Sequence, residues 1–92
     1  MRVTAEISLY PLRDAWLDTI LAFIEAVRGE GRIEIAVNQM STQMRGELGD
    51  VMRVLEEAMR RSFEAGGPQA LVVKFLNADL PIADPPVLEP RA

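Results

Sequence analysis

The polar side chains with the clearest binding chemistry lie in the segment VNQMSTQMRGEL, residues 37–48. This segment contains an amide, a thioether and two adjacent hydroxyls, in Asn38, Met40, Ser41 and Thr42. Amide and hydroxyl groups both donate and accept hydrogen bonds, so they can recognise the edge of a small polar ligand. The same groups also have a structural use, because Asn tolerates turns and Ser and Thr bond to nearby backbone. Their position in the fold decides between these two interpretations.

A second polar group lies near the amino terminus, in the alternating segment TAEISLY. Glu6, Ser8 and Tyr10 fall on one face of a strand here, and Glu47 adds a carboxylate further along the chain. The two polar groups together can stack against a flat ring and form hydrogen bonds to its edge. The ligand that suits them best is a cationic heterocycle. The simpler alternative is that the carboxylates pair with basic residues across strands and that Tyr10 packs over the sheet edge.

The composition argues against catalysis. The chain contains no cysteine and no histidine, which removes thiolate chemistry and histidine-based acid–base catalysis. Ser41 therefore has no histidine to activate it, and a Glu6–Glu47 carboxylate pair is the remaining catalytic option. The glycine-containing segments lack the lysine and the spacing of a phosphate-binding loop. We expect a non-enzymatic protein with no catalytic residues, no metal site and no cofactor.

The charge of the chain narrows the classes of partner. A formal net charge of −4 argues against a general nucleic-acid binder, because binding to phosphates requires a basic surface. No apolar run approaches the roughly 20 residues that a membrane span requires. Thr4, Glu6 and Ser8 interrupt the amino-terminal segment, so it lacks the apolar core of a signal peptide. We expect a cytoplasmic protein that associates with neither nucleic acid nor membrane.

The pattern of apolar residues predicts six secondary-structure elements. Alternation with period two predicts strands over residues 3–9, 32–38, 41–48 and 70–76. Helical spacing predicts one helix that begins after Asp14 and ends at Gly29, and a second helix over residues 50–65. The order strand, helix, strand, strand, helix, strand is the ferredoxin-like α+β arrangement. Right-handed crossovers then give a four-stranded antiparallel sheet, in spatial order 4-1-3-2, with both helices on one face.

Each predicted helix has an expected buried face and an expected N-cap. The buried residues of the first helix should be Leu17, Ile20, Leu21, Ile24 and Val27, with a neighbouring strip of Trp16, Thr19 and Phe23. Those of the second helix should be Val51, Leu55, Ala58, Met59, Ser62 and Phe63. Asp14 and Asp50 are the expected caps, because a carboxylate can accept from the first free backbone N–H groups. The sequence Gly-Gly-Pro at residues 66–68 should end the second helix.

The sheet face without helices remains uncovered in this arrangement. It should carry Thr4, Glu6, Ser8, Tyr10, Glu34, Ala36, Asn38, Gln43, Arg45, Glu47, Val72, Lys74 and Leu76. Such a face is often simply solvated. Its mixture of apolar and polar residues also suits association between copies, or a ligand held between them. Because the first and third strands are antiparallel neighbours, Ser8 and Tyr10 should approach Ser41 and Asn38, and this corner is the candidate site.

The chain divides into one domain and a tail. We predict a single domain over residues 1–77 and a proline-rich tail over residues 78–92. The prolines exclude the tail from a helix or a central strand. The tail either packs on the surface, packs on a neighbouring copy, or is disordered. A chain of 92 residues buries a small core, so association with further copies is a common way to gain buried area.

Three segments together resemble a known family. They are ISLYPL at residues 7–12, VNQMSTQMRGEL at residues 37–48, and MRRSFEAGGPQALVVKF at residues 59–75. The segments resemble the small thiamine- and hydroxymethylpyrimidine-binding proteins related to YkoF. The resemblance covers residues 3–77. Its most specific parts are Ser-Leu-Tyr-Pro, residues 8–11, and the motif Asn-x-Met-Ser-Thr-x-x-x-Gly, which ends at Gly46.

This resemblance implies non-enzymatic binding of thiamine or its hydroxymethylpyrimidine moiety, in vitamin B1 salvage or uptake. It implies the ligand-lining residues Ser8, Tyr10, Asn38, Met40, Ser41 and Thr42, to which the charge argument adds Glu6 and Glu47. The best-known form of the family carries two ferredoxin-like repeats, so this single repeat is expected to form a homodimer or homotetramer through its sheet. The alternative is an oligomeric interaction or regulatory protein that binds another small molecule or a protein partner.

Overall fold

The computed structural model describes residues 1–12, 16–28, 31–85 and 88 of the chain. Its elements are β1 (Arg2–Pro11), α1 (Trp16–Arg28), β2 (Glu34–Val37), β3 (Thr42–Glu47), α2 (Leu48–Glu64) and β4 (Gln69–Leu76). The predicted order of strands and helices is confirmed. Strand β2 is shorter than expected, and β1 extends to Pro11, where the proline ends it. The expected cap Asp14 and the expected helix end Gly29 lie outside the described residues.

The four strands form one antiparallel sheet in the order β2-β3-β1-β4. This is the predicted order 4-1-3-2 read from the other edge, and it confirms the ferredoxin-like α+β fold. Helices α1 and α2 pack against each other and against the sheet. The opposite face, which no described helix covers, is called the open face below. Neither α1 nor α2, the helices of the described residues, combines the length and the hydrophobicity that a membrane-spanning helix needs.

The strand register determines which side chains share a face. Ala5 of β1 pairs with Met44 of β3, and both are buried beneath the helices. Glu6, the next residue, pairs with Gln43 of β3 and Lys74 of β4 on the open face. A shift of one residue would expose the core set, so burial fixes this register. The buried core cluster comprises Val3, Ala5, Ile7, Leu9, Phe23, Val27, Ile33, Met44, Val51, Val54, Leu55 and Ala58.

Helix α1 packs through a strip that matches the expected one only in part, because Val27 is buried and Ile20 packs against the core as predicted. Its buried residues are Thr19, Phe23 and Val27, which follow one another at intervals of four. Leu17 and Leu21, expected in the core, are both 52% exposed. Two adjacent strips of this helix are apolar, so helical spacing alone does not distinguish them. The exposed strip leaves apolar surface beside the free edge of the sheet at β2.

Helix α2 begins earlier than predicted. Its first residue is Leu48, and Glu47 occupies the N-cap position without a capping hydrogen bond from its side chain. Asp50, the expected cap, lies instead in the first turn, where a carboxylate interacts favourably with the helix dipole. It also forms ion pairs with Arg32 and Arg53. The buried residues of α2 are Val51, Val54, Leu55, Ala58 and Ser62.

The turn that follows α2 requires the two glycines that the sequence has there. Gly66 and Gly67 have φ angles of 103° and 84°, which residues with a Cβ rarely adopt. Gln69 joins the turn to the helix, because its Nε2 donates to the Ser62 carbonyl at 2.7 Å. The predicted helix end is confirmed, whereas Phe63, predicted to be buried, is exposed.

The residues after β4 turn back over the open face. Thr4 Oγ1 donates to the Ala78 carbonyl at 2.7 Å and accepts from the Leu80 N–H at 2.9 Å. Thr4 is consequently only 7% exposed, although the sequence placed it on an uncovered face. Residues 78–82 are called the strap below. This part of the proline-rich segment therefore packs on the sheet of its own chain.

Candidate functional site

The turn between β2 and β3 is built around the side chain of Asn38. Its Oδ1 accepts hydrogen bonds from the N–H groups of Met40 at 2.8 Å and Ser41 at 3.0 Å. The Asn38 N–H also donates to the Ser41 carbonyl at 3.1 Å, which closes the hairpin. Asn38 thus has the structural role that its turn preference allows, and Met40 is left exposed at the tip.

A chain of side-chain hydrogen bonds runs from this turn to β1. Asn38 Nδ2 donates to Gln43 Oε1 at 3.4 Å, and Gln43 Nε2 donates to Ser41 Oγ at 2.7 Å. Ser41 Oγ in turn donates to Glu6 Oε2 at 3.1 Å. Every donor in the chain points the same way, so the chain ends on an acceptor, the Glu6 carboxylate. A ligand placed here would meet a carboxylate that Ser41, directly before β3, holds in place.

The other oxygen of the Glu6 carboxylate faces β4. Glu6 Oε1 lies 3.5 Å from Lys74 Nζ, and the two side chains are 44% and 78% exposed, respectively. An ion pair this exposed contributes roughly 0–1 kcal/mol, because water screens it and the lysine must be ordered. A cationic ligand can therefore displace Lys74 from the carboxylate with little loss of free energy.

Ser8 and Tyr10 continue the row that Glu6 begins on β1. Ser8 lies opposite Val72, and Tyr10 lies opposite Ala70, in the register of β1 and β4. Tyr10 is 54% exposed, so much of its ring is accessible to a flat ligand. Same-face residues of a strand are about 7 Å apart. The row therefore has a carboxylate at one end and an aromatic ring at the other.

Two of the predicted site residues lie apart from this row. Thr42 is 5% exposed and lies on the face that the helices cover. Glu47 lies at the other end of β3, about 20 Å along the strand from Ser41. Its carboxylate is engaged by the terminal amino group at 3.1 Å. The structure thus brings Glu6 and Ser41 into contact and places neither Thr42 nor Glu47 beside them.

The glycine that ends the sequence motif has a packing role. Gly46 is buried in β3, and a Cβ at this position would lie 3.1 Å from Cγ2 of Ile33. A side chain here would push against the segment that leads into β2. The motif therefore combines a turn residue, Asn38, with a packing residue, Gly46. Ser41 is the residue of the motif that contacts Glu6.

Gln43 and Lys74 join the candidate site, although the sequence interpretation did not select them. Alternation had already placed both on the open face, and the register makes them the direct neighbours of Glu6 on either side. The alternation of the sequence therefore indicated the face on which Gln43 and Lys74 lie. Their position beside Glu6 could be predicted only with the register as well as the strand order. The open-face cluster is defined as Glu6, Ser8, Tyr10, Ser41, Gln43 and Lys74.

The open-face cluster has groups that can bind a ligand. Its carboxylate accepts hydrogen bonds and attracts cations, its hydroxyls bond to polar edges, and its aromatic ring stacks. Ser41 has no histidine to activate it as a nucleophile. Among the described residues, no three acidic side chains gather in a way that would hold a metal ion. The arrangement matches a flat ligand with donors on its edge and a positive charge.

A concave region lies away from the open face. A cavity of about 460 Å³ lies between α1 and α2, and its walls include Thr19, Phe23, Ala58 and Ser62. Small-molecule sites are typically concave and mostly apolar, and this cavity meets both conditions. The carboxylates of Asp18 and Glu25 also line it, but its aromatic residue, Phe23, is buried, whereas the Tyr10 ring on the open face is exposed.

Comparison with known proteins identifies a family that the chain matches. The sequence profile of the family described as thiamine-binding protein matches residues 5–76. The matched region includes the whole open-face cluster and excludes the strap. No curated protein sequence matches the chain.

Several solved structures share the fold. Protein SP2199 from Streptococcus pneumoniae has a TM-score of 0.79 at 20% identity, over 87% of this chain and 90% of that chain. TM0486 from Thermotoga maritima, described as a candidate thiamine biosynthesis/salvage protein, has a TM-score of 0.74 at 19% identity, over 95% and 91%. A domain of unknown function, DUF77, from Bacillus cereus has a TM-score of 0.73 at 23% identity, over 86% and 78%. At these identities, the likeness establishes the fold alone.

Proposed function

Because the chain belongs to the thiamine-binding protein family, we propose that it binds thiamine or its hydroxymethylpyrimidine moiety and releases it unchanged. Such a protein would serve the salvage or uptake of vitamin B1. The observation that carries the proposal is the Glu6 carboxylate, held by Ser41 at one end of a row that finishes at the Tyr10 ring.

The chemistry of the ligand supports this placement. Thiamine combines an aminopyrimidine, which donates hydrogen bonds from its amino group, with a positively charged thiazolium ring. The Glu6 carboxylate accepts from an amino group and attracts the positive charge. The exposed ring of Tyr10 offers a surface on which a flat or cationic ring can stack. The hydroxymethylpyrimidine alone would use the same acceptor without the benefit of the thiazolium charge.

The site residues point to binding without turnover. The open-face cluster contains a hydroxyl, a carboxylate and an ammonium group, but the chain has no histidine or cysteine to form a usual nucleophile–base pair. The family description also names a binding function. The protein is therefore proposed to act as a carrier or a sensor of its ligand.

We further propose that the chain forms a homodimer or homotetramer. Apolar side chains that a small monomer would normally bury remain accessible, among them Leu21 of α1 and Val37 at the free edge of β2. The open face outside the strap also offers surface to a second copy. Sedimentation should give two or four times the mass of the chain, and a monomer at micromolar concentration would contradict this proposal.

Isothermal titration tests the ligand directly. Thiamine and hydroxymethylpyrimidine should each give a saturable heat, and each should raise the melting temperature of the protein. Absence of heat and of a thermal shift with both ligands at millimolar concentration would refute the proposed function. The alternative, an oligomeric protein that binds another small molecule or a protein partner, would then be favoured.

A further inference from the structure

The strap divides the open face into a covered half and an accessible half. Thr4 is buried beneath the strap, whereas Tyr10, on the same face of β1, is more than half exposed. Thr4 and Glu6 are consecutive residues on this face, about 7 Å apart. The covered half therefore ends where the open-face cluster begins.

Side chains from two strands hold the strap in place. Thr4 Oγ1 bridges a carbonyl and an N–H group of the strap, as described above. Arg45 Nη1 donates to the Leu80 carbonyl at 2.5 Å, and Arg2 Nε donates to Asp79 Oδ2 at 3.0 Å. These bonds thus fix three consecutive strap residues. The side chains of the sheet form the hydrogen bonds that the backbone groups of the strap would otherwise form with a neighbouring strand.

We propose that the strap is one wall of the ligand site and that Thr4 is the residue that positions this wall. The inference rests on the proposed function, because it assigns a further element to the same site. Ligand sites are concave, and an open sheet supplies a floor without a wall. The strap forms a step beside Glu6, and the partly exposed side chain of Leu80 supplies apolar surface on it.

The wall has a physical consequence for the bound ligand. When a ring binds over Glu6, the sheet displaces water from its lower face. The strap displaces water from one of its edges. This added burial stabilises the complex and limits the positions that the ring can take. The strap lies outside residues 5–76, so this wall is a feature of this chain beyond the region that the family profile matches.

Two substitutions of Thr4 in the full chain test the proposal. Thr4→Val keeps the shape of the side chain and removes both hydrogen bonds to the strap, whereas Thr4→Ser keeps the hydroxyl. By isothermal titration, Thr4→Val should weaken thiamine binding by about fivefold to tenfold, because the strap loses two hydrogen bonds and no longer holds the wall in place. Thr4→Ser should restore binding to within about twofold of the wild type.

Amide hydrogen exchange supplies a readout of the strap itself. The Leu80 N–H is protected by Thr4 Oγ1, so its exchange should be faster in Thr4→Val and nearly unchanged in Thr4→Ser. Thiamine should slow this exchange further in the wild type, because a ligand in contact with the wall holds it closed. Asp84→Ala is the matched control in the same segment, since the described hydrogen bond of Asp84 is a backbone bond to Pro81.

The possible results separate this inference from the proposed function. If the wild type binds thiamine and Thr4→Val binds it equally well, the strap is not a wall and the proposed function stands. The inference also fails if thiamine leaves the Leu80 exchange rate unchanged. If the wild type binds neither thiamine nor hydroxymethylpyrimidine, the proposed function fails and this inference fails with it.

Discussion

Replacement of Glu6 by glutamine removes the negative charge of the open-face cluster and keeps the size of the side chain. The amide oxygen of glutamine can still accept the hydrogen bond from Ser41, so the chain of hydrogen bonds from the β2–β3 turn can persist. The substitution therefore tests whether the charge itself contributes to recognition of a cationic ligand.

The expected magnitude follows from the exposure of the carboxylate. A hydrogen bond to a charged group contributes about 1.5–3 kcal/mol where water is excluded. The Glu6 side chain is 44% exposed, so screening by water reduces this contribution. We expect Glu6→Gln to weaken thiamine binding by about 1–2 kcal/mol, which corresponds to a dissociation constant roughly 5–30 times higher.

Isothermal titration at two salt concentrations is the appropriate assay. Binding of thiamine to the wild type should weaken as salt rises, because part of the attraction is between exposed charges, and Glu6→Gln should show a smaller dependence. Hydroxymethylpyrimidine lacks the thiazolium charge, so it should lose less affinity than thiamine. Glu64→Gln, on the exposed end of α2, makes the same change in net charge away from the site and should bind as the wild type does.

A result within twofold of the wild type would refute the reasoning. Equal affinities of Glu6→Gln and the wild type for thiamine would show that the carboxylate does not contact the ligand. Equal losses in Glu6→Gln and Glu64→Gln would show that only the overall charge of the protein matters. Unfolding by urea should be recorded in parallel, and Glu6→Gln should lose no more than about 1 kcal/mol, since its ion pair with Lys74 is exposed.

Three further substitutions follow from the same structure. Lys74→Met removes the cation that competes for Glu6, so thiamine affinity by titration should rise about twofold to fivefold; a fall would show that Lys74 itself assists binding. Gln43→Leu removes the donor to Ser41, and titration should show about threefold weaker binding with a small change in melting temperature; unchanged affinity would show that the hydrogen-bond chain does not position Glu6. Gly46→Ala places a methyl group 3.1 Å from Ile33, and urea unfolding should show a loss of about 1–2 kcal/mol; equal stability would mean that the strands separate without strain.

The periodic patterns of the sequence determine most of the fold. Alternation along β1 assigns Ala5 and Ile7 to one face and Glu6 and Ser8 to the other, and the structure agrees. Helix α1 is the exception, because apolar residues occupy two adjacent strips of its surface. Which strip packs depends on the distance and angle at which the helix meets the sheet, and helical spacing does not contain that information.

The site could be predicted in its composition but not in its connections. Alternation placed Glu6, Gln43 and Lys74 on the open face, yet their positions beside one another depend on the exact register of three strands. The chain of hydrogen bonds through Ser41 depends on side-chain rotamers that the sequence does not specify. Thr42 was grouped with the site by its motif, although alternation already placed it on the covered face.

The strap illustrates a feature that leaves almost no signal in the sequence. Its contacts with Thr4 and Arg45 use backbone carbonyl and N–H groups, which are common to almost all residues, so these contacts produce no periodicity. The prolines of this segment predict neither a helix nor a central strand, and the described residues 78–85 form neither. They do not determine whether the segment returns to its own sheet, and this depends on Thr4 and Arg45 as partners.

Titration of the ¹⁵N-labelled protein with thiamine, observed by its backbone amide signals, tests the central claim most directly. The proposed site predicts that the largest shifts fall on Glu6, Ser8 and Ser41 and on the neighbouring strap. Shifts concentrated instead at the cavity between the helices, at Phe23 and Ala58, would contradict the assignment of the ligand to the open face. A spectrum that stays unchanged at millimolar thiamine would contradict the proposed binding altogether.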